Sequence, residues 1–235
     1  MNNKNKKLII KDLGKISYQY GLNQQEKYFS EIIKTKKSNY KKEQLSKTDN
    51  FLLFVEHYPV YTLGKSGDIN NLLTNMESLI EKDIEFFKTN RGGDITFHGP
   101  GQVVVYPILD LDNFFTDIHK YLRTLEEVII TTLLDYGISG FRIPGQTGVW
   151  VGNDKFSPKK ICAFGVRASR WVTMHGMSLN VNTNLDYFNN IVPCGINDKG
   201  VTSMKEELGK KILLSDVKKR VAKHFINLFE IEAKI

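Results

Sequence analysis

One cysteine of this sequence has the surroundings of a reactive thiol. Cys194 stands between a proline and a glycine, in the segment Val-Pro-Cys-Gly-Ile, and such residues favour a turn that can expose the sulfur to backbone N–H groups. Cys162 lies instead in the apolar segment Ile-Cys-Ala-Phe-Gly-Val, where a cysteine behaves as a small buried hydrophobic residue. Cys194 is therefore the better candidate for a nucleophile, and an inert loop thiol is the alternative.

A nucleophilic cysteine needs a base or a cation beside it, because a free thiol with a pKa of about 8.5 is only a few per cent ionised at neutral pH. His98 and His175 each precede a glycine beside a predicted strand, which suits a cleft. Lys160 opens the predicted strand that carries Cys162, and a partly desolvated lysine can do the same work; a solvated strand end is the alternative. The residues leave open which group accepts the proton.

Residues 91–102 are the segment richest in glycine, with the sequence Arg-Gly-Gly-Asp-Ile-Thr-Phe-His-Gly-Pro-Gly-Gln. Glycine lets backbone amides approach a ligand closely, and Arg91 adds a forked positive charge that suits a carboxylate or a phosphate. The segment matches neither the P-loop pattern nor the dinucleotide-binding pattern. It predicts a substrate-binding loop of another kind, and a plain hairpin with glycines in its turn is the alternative.

The hydrophobic pattern predicts the elements that position these residues. Helical spacing predicts helices at 17–33 and at 118–136, the second ended by Gly137, and a third helix capped by Ser215 and Asp216. Pro107 is expected to close one strand, and the last two strands are expected to pair. The class is α/β or α+β, a mixed sheet with flanking helices. Short apolar runs predict the buried strands at 51–55, 103–106, 148–152, 161–166 and 172–181.

The composition of the 235 residues, 41% hydrophobic and 25% charged, excludes a disordered or collagen-like chain. The net charge of +7 arises in residues 1–50, which hold 12 lysines and 5 acidic residues, whereas residues 51–235 are neutral. This asymmetry disfavours a basic nucleic-acid groove. It fits a solvated lysine-rich face, or a surface that attracts an acidic protein partner.

The cysteines and the apolar runs bear on metal binding and location. Two cysteines without a Cys-x-x-Cys pair disfavour a thiolate zinc site, so no metal is expected. Residues 8–10 are apolar but are followed at once by Lys11 and Asp12, which disfavours a signal peptide. No apolar run approaches the ~18 residues of a membrane span. We therefore expect no membrane and a reducing cytoplasm, in which both thiols stay free.

Seven segments occur in an order and at a spacing that resemble the lipoyl(octanoyl) transferase family, the octanoyl-[acyl-carrier-protein]:protein N-octanoyltransferases. The resemblance implies the catalytic-domain fold of biotin and lipoate protein ligases. It further implies a single catalytic domain over 1–235, with a ligase-like core at about 45–225 and a lysine-rich N-terminal portion at 1–50. The segments are 59–65, 91–102, 148–151, 160–165, 175–180, 193–196 and 201–204.

The resemblance implies transfer of an octanoyl or lipoyl group from octanoyl-acyl carrier protein to a lysine of lipoyl domains, the first step of endogenous protein lipoylation. The acceptors would be lipoyl domains of 2-oxoacid dehydrogenases and the glycine cleavage H protein. Cys194 would carry the acyl group as a thioester and Lys160 would tune that cysteine, with neither ATP nor another cofactor.

The family's substrate-binding segments also map onto this chain. Asp94 departs from the family pattern, in which glutamine is common, and we expect its carboxylate to point away from the pocket. The glycines are expected to leave room for the apolar tail. The residues implied are Arg91, Gly92, Gly93, Asp94, Ile95, Thr96, Phe97, His98, Ala163, Phe164, Gly165, Gly176, Met177 and Ser178.

Two other functions compete with this one. An ATP-dependent lipoate or biotin ligase on the same fold would need a nucleotide-binding loop and would not need Cys194. A non-enzymatic, lysine-rich binding module for RNA or an acidic protein is disfavoured, because residues 51–235 carry no net charge.

Overall fold

Seven strands form one mixed sheet, in the spatial order β1-β2-β6-β10-β9-β8-β7. The computed structural model describes residues 4–40, 45–152, 157–192 and 200–232. In this large sheet β1 and β2 run parallel and the other neighbours run antiparallel, which confirms the predicted mixed sheet. The strands are β1 (Ile9–Ile16), β2 (Phe51–His57), β6 (Gln102–Ile108), β7 (Phe141–Ile143), β8 (Gln146–Val151), β9 (Lys159–Ser169) and β10 (Val172–Asn180).

A small sheet lies between β2 and β6 in the chain. It consists of β3 (Val60–Leu63), β4 (Glu85–Lys88) and β5 (Ile95–His98), with β3 in the centre. The turn at 99–101 therefore carries the chain from the small sheet into β6 of the large sheet, so the glycine-rich segment is not a plain hairpin. Gly101 is required in this turn, since its φ is +83° and a Cβ atom there would lie 2.6 Å from the carbonyl oxygen of Asn182.

Helices cover both faces of the large sheet, as the pattern predicted. Helix α1 (Tyr18–Asn39) packs Tyr28, Phe29 and Ile32 on one face. Helices α3 (Ile118–Leu134) and α5 (Leu214–Leu228) bury their apolar residues on the opposite face. The remaining helices are the short α2 (Met76–Glu81) and α4 (Met204–Leu208). None of the helices among the described residues combines the length and the apolar character that crossing a membrane requires.

At three boundaries that differ from the sequence prediction, the structure shows a specific difference. Helix α1 continues to Asn39, because buried Lys36 forms ion pairs with Asp110 and Asp112 that only the tertiary structure supplies. Strand β6 continues through Pro107, whose carbonyl oxygen accepts a hydrogen bond of 2.9 Å from the Thr173 hydroxyl. The predicted cap of α5 is wrong: the capping position is residue 213, a leucine without a side-chain cap bond.

Candidate active site

A cavity lies between the α1 side of the large sheet and strand β5 of the small sheet. The floor consists of residues that share one face of three neighbouring strands, because the side chains of alternate residues point the same way. Ser178 of β10 pairs with Val104 of β6 on one side and with Ala163 of β9 on the other. Two residues further along β10, Gly176 pairs with Gly165. The sheet register therefore brings together segments that lie far apart in the sequence.

Twelve of the fourteen predicted substrate-binding residues line this cavity, and the two exceptions are Gly92 and Phe97. Phe97 lies on the other face of β5, where it stacks on Tyr187 with ring centroids 4.4 Å apart. The twelve are Arg91, Gly93, Asp94, Ile95, Thr96, His98, Ala163, Phe164, Gly165, Gly176, Met177 and Ser178. Their roles as substrate contacts stay a prediction.

Arg91 holds the glycine loop in place through its guanidinium group. Its Nη2 donates to the carbonyl oxygen of Thr62 at 2.5 Å and to the Thr62 hydroxyl at 2.9 Å, and its Nη1 donates to the carbonyl oxygen of Gly92 at 3.1 Å. These are charge-assisted bonds to groups that are themselves largely buried. The arginine thus fixes the loop against β3, a role beyond the anion binding that its charge suggested.

The cavity glycines serve close packing of the backbone, which corrects the expectation that they leave room for an acyl tail. A Cβ atom at Gly165 would lie 2.8 Å from the carbonyl oxygen of Gly92 and 3.0 Å from Cδ of Arg91. A Cβ atom at Gly176 would lie 2.2 Å from the carbonyl oxygen of Val105. Gly165 therefore lets the glycine loop approach β9, and Gly176 lets β6 approach β10.

Asp94 uses its carboxylate to hold a neighbouring turn. Its Oδ1 accepts hydrogen bonds from the backbone N–H groups of Asp68 and Ile95, and its Oδ2 accepts one of 2.5 Å from the Asn71 side chain. Both carboxylate oxygens are thus bound to protein groups. This agrees with the expectation that the Asp94 carboxylate points away from the pocket.

Lys160 lies in a second, smaller cavity that adjoins the first. The two cavities share Thr96, Ala163 and Ser178. The Lys160 side chain is buried, with Nζ 4.6 Å from the centroid of the Trp150 ring, which is a cation–π contact. The structure thus places Lys160 beside the main cavity.

Cys194 lies outside the described residues, so its predicted role stays a prediction. On either side of that gap, the N–H of Val192 donates to the carbonyl oxygen of Asn71 at 2.8 Å, and the N–H of Lys160 donates to the carbonyl oxygen of Gly200 at 2.9 Å. The chain therefore leaves the gap hydrogen-bonded to the residue that is predicted to tune the cysteine.

Cys162 is buried, as its sequence surroundings predicted. Burial, followed by the negative charge of Glu126, raises the pKa of its thiol well above the ordinary value. A thiol of this kind stays protonated near neutral pH and is a poor nucleophile.

Three buried histidines surround the inner part of the cavity. Burial lowers the pKa of His57 to about 4, and burial with nearby positive charge lowers the pKa of His98 and of His175 to about 3. His57 Nδ1 must donate to the carbonyl oxygen of Ile16, so its Nε2 accepts from the Tyr106 hydroxyl at 2.7 Å. All three rings are neutral near pH 7, which makes them poor partners for stabilising a thiolate by charge.

We expect stability to fall with acidification because of these histidines. In the unfolded chain they titrate near pH 6.5, whereas the folded state resists protonation down to about pH 4 for His57 and about pH 3 for His98 and His175. The unfolded state therefore binds more protons as the pH falls below 6.5. The free energy of unfolding, measured by urea titration, should drop by about 5–6 kcal/mol from pH 7 to pH 5.

Two variants test whether the buried histidines cause this dependence of the free energy of unfolding on pH. His57→Asn should reduce the drop by about one third, since it removes one of the three titrating groups. His119→Gln, at an exposed position of α3, should keep the wild-type slope. A wild-type stability that is constant over this pH range would contradict the neutral state of the buried rings.

Sequence reasoning missed Tyr18, Val104 and Tyr106, which also line the main cavity. Side chains alternate between the two faces of a strand. This alternation along β6 could have indicated that Val104 and Tyr106 face the same cavity. Tyr18 carried no such signal. It is the first residue of α1, and only the packing of that helix against the sheets brings it to the cavity.

The comparisons with known proteins agree with this geometry. Residues 18–226 match the family described as the lipoyl protein ligase A/B catalytic domain. The chain is 57% identical over 229 residues to the octanoyltransferase of Flavobacterium johnsoniae, covering 97% of this chain and 99% of the relative. It is 55% identical to the octanoyltransferase of Flavobacterium psychrophilum, covering 96% and 98%.

Solved structures resemble the fold at much lower identity. A bi-partite lipoate protein ligase from Thermoplasma acidophilum superposes with a TM-score of 0.70 at 14% identity, covering 97% of this chain and 86% of the other. At this identity the likeness concerns the fold alone. It confirms the expected ligase-like arrangement of a mixed sheet with flanking helices.

Proposed function

The chain belongs to the lipoyl protein ligase A/B catalytic-domain family and is an octanoyltransferase like its close relatives, and we propose that octanoyl-acyl carrier protein is its donor. The acceptor is a specific lysine of lipoyl domains, in 2-oxoacid dehydrogenases and the glycine cleavage H protein. The acyl group passes through a thioester on Cys194. This constitutes the first step of endogenous protein lipoylation, in the cytoplasm.

One observation above all supports the proposal: the cavity assembled from the predicted binding segments adjoins the cavity that holds Lys160. The lining of the main cavity includes Val104 and the aromatic residues Tyr18 and Tyr106, which suit a hydrocarbon chain. For an apolar chain in the main cavity, we assign the carbonyl end to the side of Lys160.

In the first step the Cys194 thiolate attacks the carbonyl carbon of the donor thioester. A new C–S bond forms, the C–S bond to the carrier breaks, and the carrier's sulfur leaves with the proton of Lys160, which becomes a free amine. One thioester replaces another, so the step is nearly balanced in free energy. Lys160 as an ammonium stabilises the attacking thiolate.

In the second step the neutral amine of the acceptor lysine attacks the acyl-cysteine. A C–N bond forms, the C–S bond breaks, and Cys194 leaves as a thiolate while the amine's proton passes to a base. Lys160, as a free amine, is the base we assign to this proton. The product is an amide, which is more stable than a thioester, so no ATP and no metal are needed.

An ATP-free transfer assay tests the proposal. Octanoyl-acyl carrier protein and a purified lipoyl domain are mixed with the protein, and the lipoyl domain is measured by intact mass. We expect one octanoyl group on the acceptor without any nucleotide. Transfer that requires free octanoate and ATP would instead establish the ligase alternative, and no transfer under either condition would contradict both.

A further inference from the structure

Two tyrosines stand at the inner end of the main cavity, away from Lys160. Tyr106 is the next residue after Val104 on the same face of β6, and Tyr18 begins helix α1. Both are almost fully buried, at 4% and 2% exposure. Beyond them the same face of the sheet is filled by the core under α1, which contains Phe29, Ile108 and Met174 among others.

Both tyrosine side chains are tightly packed by their neighbours. The Tyr18 ring packs against Phe87 and His57, with centroids 5.0 Å and 5.4 Å apart, and lies parallel to the His98 ring at 6.3 Å. The Tyr106 hydroxyl is held by His57 Nε2 at 2.7 Å. Since moving a well-packed aromatic ring forces its neighbours to move too, the two rings form a rigid wall.

The floor has a definite length between the Lys160 cavity and this wall. Asn180 lines the Lys160 cavity, and Gly176 lines the inner part of the main cavity. Four residues of β10 separate them, a distance of about 13 Å at ~3.3 Å per residue. With C–C bonds of about 1.5 Å in a zigzag, eight carbons extend about 9 Å and sixteen extend about 19 Å.

We propose that Tyr18 and Tyr106 close the acyl cavity and set the longest chain that the protein accepts. The ligand class is a saturated acyl chain of medium length, with its carbonyl towards Lys160 and its methyl end against the two rings. The inference rests on the proposed function for the direction of the chain. A chain of twelve carbons extends about 14 Å, which exceeds the floor of about 13 Å, so the wall excludes chains of this length and longer.

Binding of free octanoate, decanoate and dodecanoate to the full-length protein tests the inference, by isothermal titration. The wild-type protein should bind octanoate more tightly than dodecanoate. Tyr18→Ala should raise the dodecanoate-to-octanoate affinity ratio at least about tenfold, because each further methylene that becomes buried contributes a factor of about four. Tyr20→Ala is the matched control, since Tyr20 lies on the first turn of the same helix and is 50% exposed.

Two further variants keep the test decisive if Tyr18→Ala fails to fold. Tyr18→Leu and Tyr106→Leu retain apolar bulk but remove the ring, and both should shift the ratio in the same direction. Val104→Phe, which adds volume midway along the floor, should shift the preference towards hexanoate. An unchanged ratio in folded Tyr18 and Tyr106 variants overturns the inference, and so does a wild-type protein that binds none of these acids.

The outcome is distinguishable from failure of the proposed function. If the affinity ratio shifts in the tyrosine variants but the wild-type protein gives no ATP-free transfer, the two tyrosines limit the chain length and the proposed reaction is wrong. If the wild-type protein transfers octanoyl without ATP but the affinity ratio is unchanged in the tyrosine variants, the proposed reaction holds and the tyrosines do not limit the chain length.

Discussion

Cys194→Ala is expected to lower octanoyl transfer at least about 10³-fold without unfolding the protein, because loss of a covalent nucleophile removes the intermediate itself. With octanoyl-acyl carrier protein alone, the wild-type protein should gain one octanoyl group, seen by intact mass under denaturing conditions. The Cys194→Ala protein should gain none. Peptide mapping should place the adduct on Cys194.

The second cysteine supplies the matched control. Cys162 is fully buried among apolar residues, and burial raises the pKa of its thiol. Cys162→Ala should therefore still form the adduct, although it loses some stability through the cavity it creates. An adduct on Cys162, or continued transfer by Cys194→Ala, would contradict the assignment.

Lys160→Ala is expected to reduce transfer by about 10²–10⁴-fold, the usual range for losing a positioned acid or base. It should also slow alkylation of Cys194 by iodoacetamide near neutral pH, because the thiolate loses an adjacent positive charge. Each pH unit by which the rate profile moves upward corresponds to about 1.4 kcal/mol of lost interaction with the thiolate. The rates of wild type and variant should converge at high pH, where both thiols are ionised.

Lys159→Ala is the matched control for that experiment. Lys159 is the adjacent residue of β9 but is exposed, whereas Lys160 is buried against Trp150. Its replacement should leave the alkylation profile unchanged. If Lys160→Ala also left the profile unchanged while the protein stayed folded, Lys160 would have no role in activating the cysteine.

Much of the fold was predictable from local pattern. Apolar runs such as 51–55 and 103–106 predicted buried strands, and the spacing over 118–136 predicted α3, because burial of one face imposes a period on the sequence. The ends of elements were less predictable. Helix α1 extends beyond its periodic part because Lys36 reaches Asp110 and Asp112, partners more than seventy positions away.

The candidate site was likewise predictable only in part. Motif order and spacing predicted twelve residues that line the main cavity, together with Lys160, which lines the adjoining cavity. The glycines were recognised but misinterpreted, since sequence shows that a side chain is absent and not which atoms occupy its place. At Gly165 those atoms belong to Arg91 and Gly92.

The sequence by itself determined the family and the class of reaction, and it predicts the residues that would carry the reaction, since these depend on residue types at fixed spacing. Tertiary structure alone decided what closes the cavity and which groups are charged. Tyr18 reaches the cavity only because α1 packs over the sheets, and His57, His98 and His175 stay neutral in mild acid because folding removes them from water. Packing and desolvation arise from contacts between distant segments, and no local pattern encodes them.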